Sequence, residues 1–248
     1  MKNNISLGQH WLKNRAILDE IAALSYDKEA KLCLEIGPGL GTLTSSLLKH
    51  FDRVLAIEFD ARLAANLPKS FPGKNLQVKN TDFLQFDLNN IAEPYVIAGN
   101  IPYYITSPII EKILTASHKP EKVVLLIQKE VAERIADSKE TVLSLFVKNH
   151  AEIELGPIVK KAEFTPPPKV DSQVLILYPQ DAIIPEKVFK LIKIGFRAPR
   201  KKLLANLSSL KSKEQLISIF QELDISPDSR PADLHLDDWE RVFQKLDM

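Results

Sequence analysis

The chain has 248 residues, 45% hydrophobic and 26% charged, with a formal net charge of +1, which is the composition of an ordinary soluble globular protein. A lone cysteine, Cys33, excludes an internal disulfide framework, and five scattered histidines offer no ligand spacing, so no metal is expected. No run reaches the ~20 apolar residues of a membrane span, and MKNNISLGQHWLKN lacks the apolar core of a secretory leader, so a cytoplasmic protein without a membrane association is expected.

Short β-branched or apolar runs alternate with helical patterns along the first part of the chain. The runs are KLCLEIG (31–37), RVLAIEF (53–59), LQVKNT (76–81), YVIAGN (95–100), KVVLLIQ (122–128) and SQVLILY (172–178). Helical segments are expected to begin near Gly41, Asp60 and, less regularly, Asp87. Ser107 reads as the N-cap of SPIIEKILTAS, with Pro108 at the first helical position. The alternation predicts an α/β fold with a mostly parallel, Rossmann-like sheet. AEIELGPIV (151–159) is expected to pair with SQVLILY as an antiparallel edge. Beyond Tyr178 the pattern becomes helical. A boundary near residue 181 therefore divides residues 1–180 from a small all-helical domain, 181–248.

Three strand ends carry candidate chemistry. EIGPGLGTLT follows the first run and opens a helix, and Gly37, Gly39 and Gly41 permit backbone that a Cβ would block. Ligands of open α/β sheets bind beyond such strand ends. Glu58 ends the second run, placed to accept hydrogen bonds from both ribose hydroxyls of a nucleoside. Asp82 follows the third, placed for an adenine amine. A dinucleotide fingerprint wants a third glycine where Thr42 stands, so S-adenosylmethionine is the favoured cofactor, with Glu35 orienting its methionine part. NIPYY follows the fourth run. The Asn100 oxygen and the Ile101 carbonyl can accept the two hydrogens of an exocyclic amine. Pro102 stiffens the loop without adding an N–H, and Tyr103 offers a flat face for stacking. Phe164, before three prolines in FTPPPKV, is a second aromatic face held by a stiff extended segment.

Charge is unevenly distributed near the end. Lys187 to Lys213 holds nine Lys or Arg and no acid, whereas Glu214 to Met248 holds nine acids and three bases. Such a block suits a polyanion. Lys190, Lys193 and Arg197 fall on one helical face, while Val188, Ile192 and Phe196 face inward. Arg200, Lys201 and Lys202 are expected in the first turn of a second helix, where the helix dipole disfavours cations. Their placement there suggests that they serve a partner, a polyanion by the sign of the block.

The stretches GQHWL, EIGPGLGTLT, AIEFD, NTDF, GNIPYYITSP, IQKEVAERI, FTPPPKVDS and FRAPRKKLLANL together resemble the small-subunit ribosomal RNA adenine dimethyltransferase family nearly end to end. The resemblance implies a class I methyltransferase domain with a helical RNA-binding appendage. It implies transfer of two methyl groups from S-adenosylmethionine to N6 of each of two adjacent adenosines near the RNA 3′ end, with a role in small-subunit biogenesis. The implied partner is small-subunit ribosomal RNA within an immature particle, and the chain is expected to be a monomer. Gln9, Trp11, Leu12, Glu35, Gly37, Gly39, Glu58, Asp82, Phe83 and Asn100 fall on its cofactor side. Tyr103 and Phe164 fall on positions that sandwich the target base. His10-Trp11 stands where Asn-Phe is more usual, Asn14 where Asp is common, and Arg230-Pro231-Ala232-Asp233 where Arg-Ala-Glu is more typical. Three alternatives share features of the pattern: the erythromycin-resistance methyltransferases of large-subunit RNA, a non-catalytic assembly factor on the same fold, and an amine methyltransferase of protein glutamine or DNA, which the basic helical part disfavours.

Overall fold

A computed structural model describes residues 10–246, so Gln9 lies outside the described residues. The chain forms two compact units. One runs to Glu133 and resumes over Ala151–Pro179; the other holds Arg134–His150 and everything from Gln180. The boundary expected near residue 181 thus coincides with one crossing between units. The segment 134–150, expected in the first domain, belongs to the second unit. Its Leu145 packs into that unit's core with Ile184, Val188 and Leu191, an attachment that no shift in composition announces.

The first unit is an α/β sheet. In chain order its elements are β1 (Trp11–Leu12), α1 (Arg15–Ser25), β2 (Leu32–Ile36), α2 (Thr44–Leu47), β3 (Arg53–Glu58), α3 (Ala61–Asn66), β4 (Leu76–Asn80) and β5 (Tyr95–Asn100). There follow α4 (Thr106–Leu114), β6 (Lys122–Gln128), α5 (Lys129–Ala136), α6 (Val142–His150), β7 (Ala151–Val159), β8 (Phe164–Thr165) and β9 (Ser172–Pro179); α6 and the end of α5 belong to the second unit. Seven strands lie in the order β4-β3-β2-β5-β6-β9-β7, and β1 pairs with β8 in a separate two-stranded ribbon. Pairing is parallel from β4 to β6 and antiparallel at β9 and β7, with a bulge between Leu155 and Ile158. All five residues of β2 are buried, as a strand covered on both faces requires. The edge expected at 151–159 is therefore present.

Register positions the site. Ile36 pairs with Ile57 on one side and Gly99 on the other. Gly37, Glu58 and Asn100 consequently leave three adjacent strands at one level. Glu58 pairs with Asn80, so Asp82 leaves β4 two residues beyond.

Caps and turns depart from expectation more than the strands do. Asn14 caps α1 through its side-chain oxygen, and Asp60 caps α3 in the same way. Near Asp87 there is only a single 3₁₀ turn, Leu88–Asn90. Ser107 is not an N-cap. A 3₁₀ turn over Tyr103–Ile105 winds the chain beforehand, so α4 starts at Thr106 and Pro108 falls third, where no intrahelical N–H partner is needed.

The second unit adds α7 (Glu186–Gly195), α8 (Leu203–Leu207), α9 (Lys213–Glu222) and α10 (Leu236–Lys245) to α6. Their apolar faces meet around Trp239, Phe220, Leu191 and Leu203. Buried Glu140 accepts from Ser144 and Lys148 and meets His235, which joins α6 to the start of α10. Val188 and Ile192 face inward as expected, and Lys190, Lys193 and Arg197 are exposed. The expectation for the next three cations needs correcting. Lys202 is the N-cap of α8, and Arg200 and Lys201 precede it in a turn, because the chain does not resume helical winding until Leu203. Lys202 is also ion-paired with Asp228. None of the three therefore lies in the first turn, where the helix-dipole argument had placed them. Among the described residues no helix is long and apolar enough to cross a membrane.

Candidate active site

The loop after β2 needs three left-handed backbone conformations, at Gly37, Gly39 and Gly41. Gly39 has φ +57°, and a Cβ there would lie 2.0 Å from the Trp11 ring, so only glycine lets the indole close on the loop. Gly37, at φ +64°, has open space where its Cβ would be. The Gly39 N–H donates to Glu58 Oε2 at 3.0 Å, and the Asp60 N–H donates to Oε1 at 2.8 Å. The Glu58 carboxylate is thus held between the ends of two strands. Burial raises its pKa against these hydrogen bonds.

Glu35 lies one step deeper, in β2, with 1% of its surface exposed. Its Oε2 accepts from the Thr44 hydroxyl at 2.6 Å. Burial pushes its pKa up to about 8, and the nearby Glu58 charge adds to the rise. Asp82 is half-buried and folds its own loop. Its Oδ1 accepts from the Leu84 N–H at 2.9 Å, and its carbonyl accepts from Gln85 and Phe86.

Asn100 Nδ2 donates to the His10 carbonyl at 3.0 Å. A backbone carbonyl can only accept, so the amide orientation is fixed and Oδ1 remains as an acceptor. Tyr103 Oη and Ser172 Oγ are 2.7 Å apart. The Tyr103 ring lies within 20° of parallel to the His10 ring, at 6.2 Å between centroids. His10 Nδ1 is 2.8 Å from the Pro166 carbonyl, which makes Nδ1 the protonated nitrogen.

One cavity of about 260 Å³ is bounded by His10, Trp11, Leu12, Glu35, Gly37, Gly39, Glu58, Asp82, Phe83, Asn100, Ile101, Pro102 and Tyr103 among others, with Thr44, Pro166 and Ser172 behind its lining. Phe164 is not among them. The pairing Leu12↔Phe164 between β1 and β8 turns its ring into the core, where it is 2% exposed. The expected two-sided aromatic sandwich is therefore not what this arrangement contains; His10 faces Tyr103 instead. Sequence reasoning missed His10, Thr44 and Ser172. Only His10 left a signal, as a departure from the usual motif. The six expected RNA-binding residues, Lys190, Lys193, Arg197, Arg200, Lys201 and Lys202, lie in the second unit and are all exposed. No group of three or more His, Cys, Asp or Glu among the described residues is placed to hold a metal ion.

A model of the family described as ribosomal RNA adenine dimethylase matches residues 1–248. A Picosynechococcus protein named ribosomal RNA small subunit methyltransferase A is 38% identical, covering 99% of this chain and 98% of its own length. The protein of that name from Dehalococcoides mccartyi is 35% identical over 98% of this chain and 88% of its own. Among solved structures, a dimethyladenosine transferase from Plasmodium falciparum superposes with a TM-score of 0.81 at 29% identity, covering 96% of this chain and 99% of that one. The 23S rRNA methyltransferase ErmE gives a TM-score of 0.76 at 26% identity, covering 96% of this chain and 100% of that one.

Proposed function

The chain belongs to the ribosomal RNA adenine dimethylase family, and on that premise we propose that it dimethylates N6 of two adjacent adenosines near the 3′ end of small-subunit ribosomal RNA. The methyl donor is S-adenosylmethionine, which supplies an electrophilic sulfonium methyl when bound. The reading is supported above all by the Asn100 amide, whose nitrogen is committed to the His10 carbonyl and whose oxygen is left as an acceptor at the end of β5.

An adenine amine is a weak nucleophile because its lone pair is delocalised into the ring. Asn100 Oδ1 and the Ile101 carbonyl accept its two hydrogens, which localises that lone pair and aims it. Pro102 holds the loop, and Tyr103 covers one face of the base. Its hydroxyl contact with Ser172 fixes the ring before substrate arrives. Phe164 acts from the core, by holding β1 against β8. Rate enhancement comes from alignment and preorganised acceptors rather than from a strong base.

The donor's nucleoside fits the strand ends. Glu58 takes the ribose hydroxyls, Asp82 the adenine amine, and Phe83, Trp11 and Leu12 the apolar surface. Gln9 belongs to the same cofactor set by the family resemblance alone. Gly37 and Gly39 leave backbone room for the methionine part, and Glu35 orients it. In the second unit Lys190, Lys193, Arg197, Arg200 and Lys201 contact RNA phosphates, with Lys202 shared with Asp228. The protein acts as a cytoplasmic monomer on an immature small-subunit particle, whose maturation it serves.

The test is mass spectrometry of both ribosomal RNAs from cells lacking the gene, complemented with wild type or Asn100→Ala. Dimethyladenosine should return to small-subunit RNA with wild type only. Its appearance in large-subunit RNA would favour an erythromycin-resistance-type activity. Its absence with wild type would leave a binding or assembly role.

A further inference from the structure

The second tyrosine of NIPYY has no part in the chemistry above, yet its setting is unusual. Tyr104 is 65% exposed, and it lines the same cavity as Asn100 and Tyr103. Among the described residues its hydroxyl has no hydrogen-bond partner and its ring no aromatic neighbour. It stands in the 3₁₀ turn Tyr103–Ile105, where successive side chains diverge by roughly 120°. Tyr103 is held at Ser172 and against His10, so the Tyr104 ring diverges from that contact and stays exposed on the cavity lining.

Topology says which side of the cavity this is. The other large exposed aromatic on its lining, Phe59, follows Glu58 at the end of β3. Tyr104 follows Asn100 at the end of β5, and β2 with its glycine loop lies between the two strands. Phe59 is therefore on the side of the ribose acceptor, and Tyr104 on the side of the amine acceptor.

Bringing a base into this cavity removes it from its stack and leaves its neighbour with an uncovered face. Aromatic side chains cover such faces without regard to sequence. We propose that Tyr104 stacks on the nucleobase adjoining the target adenosine, and so holds the RNA in register while its neighbour occupies the cavity. This rests on the function proposed above. With two adjacent targets, one platform would serve both rounds, each adenosine's neighbour lying on it in turn.

The experiment compares wild type, Tyr104→Ala and Tyr104→Phe on immature small-subunit particles. The readouts are KM, kcat, S-adenosylmethionine affinity and thermal midpoint. Tyr104→Ala should raise KM for particles about tenfold, within the range for loss of one stacked base. Tyr104→Phe should stay within about twofold, because stacking needs the ring and not the hydroxyl. Cofactor affinity and thermal midpoint should not change. In a second arm, particles are reconstituted with an abasic nucleotide beside the target. Wild type should lose about as much on these as Tyr104→Ala loses on intact particles, and the two losses should not add. An unchanged KM in Tyr104→Ala, a Phe variant as impaired as Ala, additive losses, or reduced cofactor affinity would each overturn the inference. If wild type fails to methylate small-subunit particles at all, the functional reading falls first and takes this inference with it.

Discussion

Glu35 makes the stability of the protein fall as pH rises, and Glu35→Gln should remove that dependence. In the folded protein the buried carboxyl keeps its proton to about pH 8, whereas 4.5 is its ordinary value. Between those values the folded state binds a proton that the unfolded chain has released. The stabilisation tied to that proton is complete below pH 4.5 and is lost as pH rises through 8. At ~1.4 kcal/mol per pH unit the whole window corresponds to about 4–5 kcal/mol, an order-of-magnitude figure. For a chain of this size that is roughly 10–20 °C in Tm. The assay is thermal or urea unfolding of ligand-free wild type and Glu35→Gln from pH 5 to 8. The glutamine oxygen can still accept from Thr44, so packing is retained while the proton is not. The stability difference, wild type minus variant, should decline steadily across this range. Parallel pH profiles for the two proteins would refute the reasoning, since they would mean that Glu35 is ionised in the fold despite its burial.

Three further outcomes are expected. Gly39→Ala meets both an unfavourable φ and the Trp11 ring, so it should lower stability by roughly 1–3 kcal/mol and weaken S-adenosylmethionine binding, measured by unfolding and calorimetry. Glu58→Ala and Asp82→Ala should each weaken cofactor binding by roughly 1–3 kcal/mol, and unchanged calorimetric affinity in both would sink their assignment. Reversing Arg197, Arg200 and Lys201 to Glu should abolish RNA methylation at normal cofactor affinity. Single Ala variants should reduce the salt slope of RNA binding by about 0.7–0.9 each. Normal methylation by the triple reversal in low salt would make this block a merely solvated surface. Lys202 is left out of that set because Glu there would also face Asp228.

Much of the site was legible in the residues because strands state their own burial. Short β-branched or apolar runs such as KLCLEIG and YVIAGN, bounded by turn residues, read as covered strands, and residues that leave such strands at their carboxyl ends reach one edge of the sheet. That reasoning brought Gly37, Glu58, Asp82 and Asn100 together before any coordinates did. The antiparallel edge at 151–159 was legible from its place before SQVLILY rather than from burial, since most of its residues are exposed or half-buried. What local pattern could not supply was pairing between distant segments. Phe164 reads as an exposed base platform in FTPPPKV, yet its pairing with Leu12 sends the ring inward. His10 is a minor departure in a motif until its carbonyl meets Asn100, 90 residues away, and its Nδ1 meets Pro166, 156 residues away. The segment 134–150 carries no mark of the unit it joins, because an apolar helix face does not state which core covers it. Strand identity and strand-end chemistry follow from burial and short-range periodicity, which each segment carries by itself. The direction of a ring, the orientation of an amide and the pKa of Glu35 depend on which distant groups exclude water, and only the tertiary structure decides that.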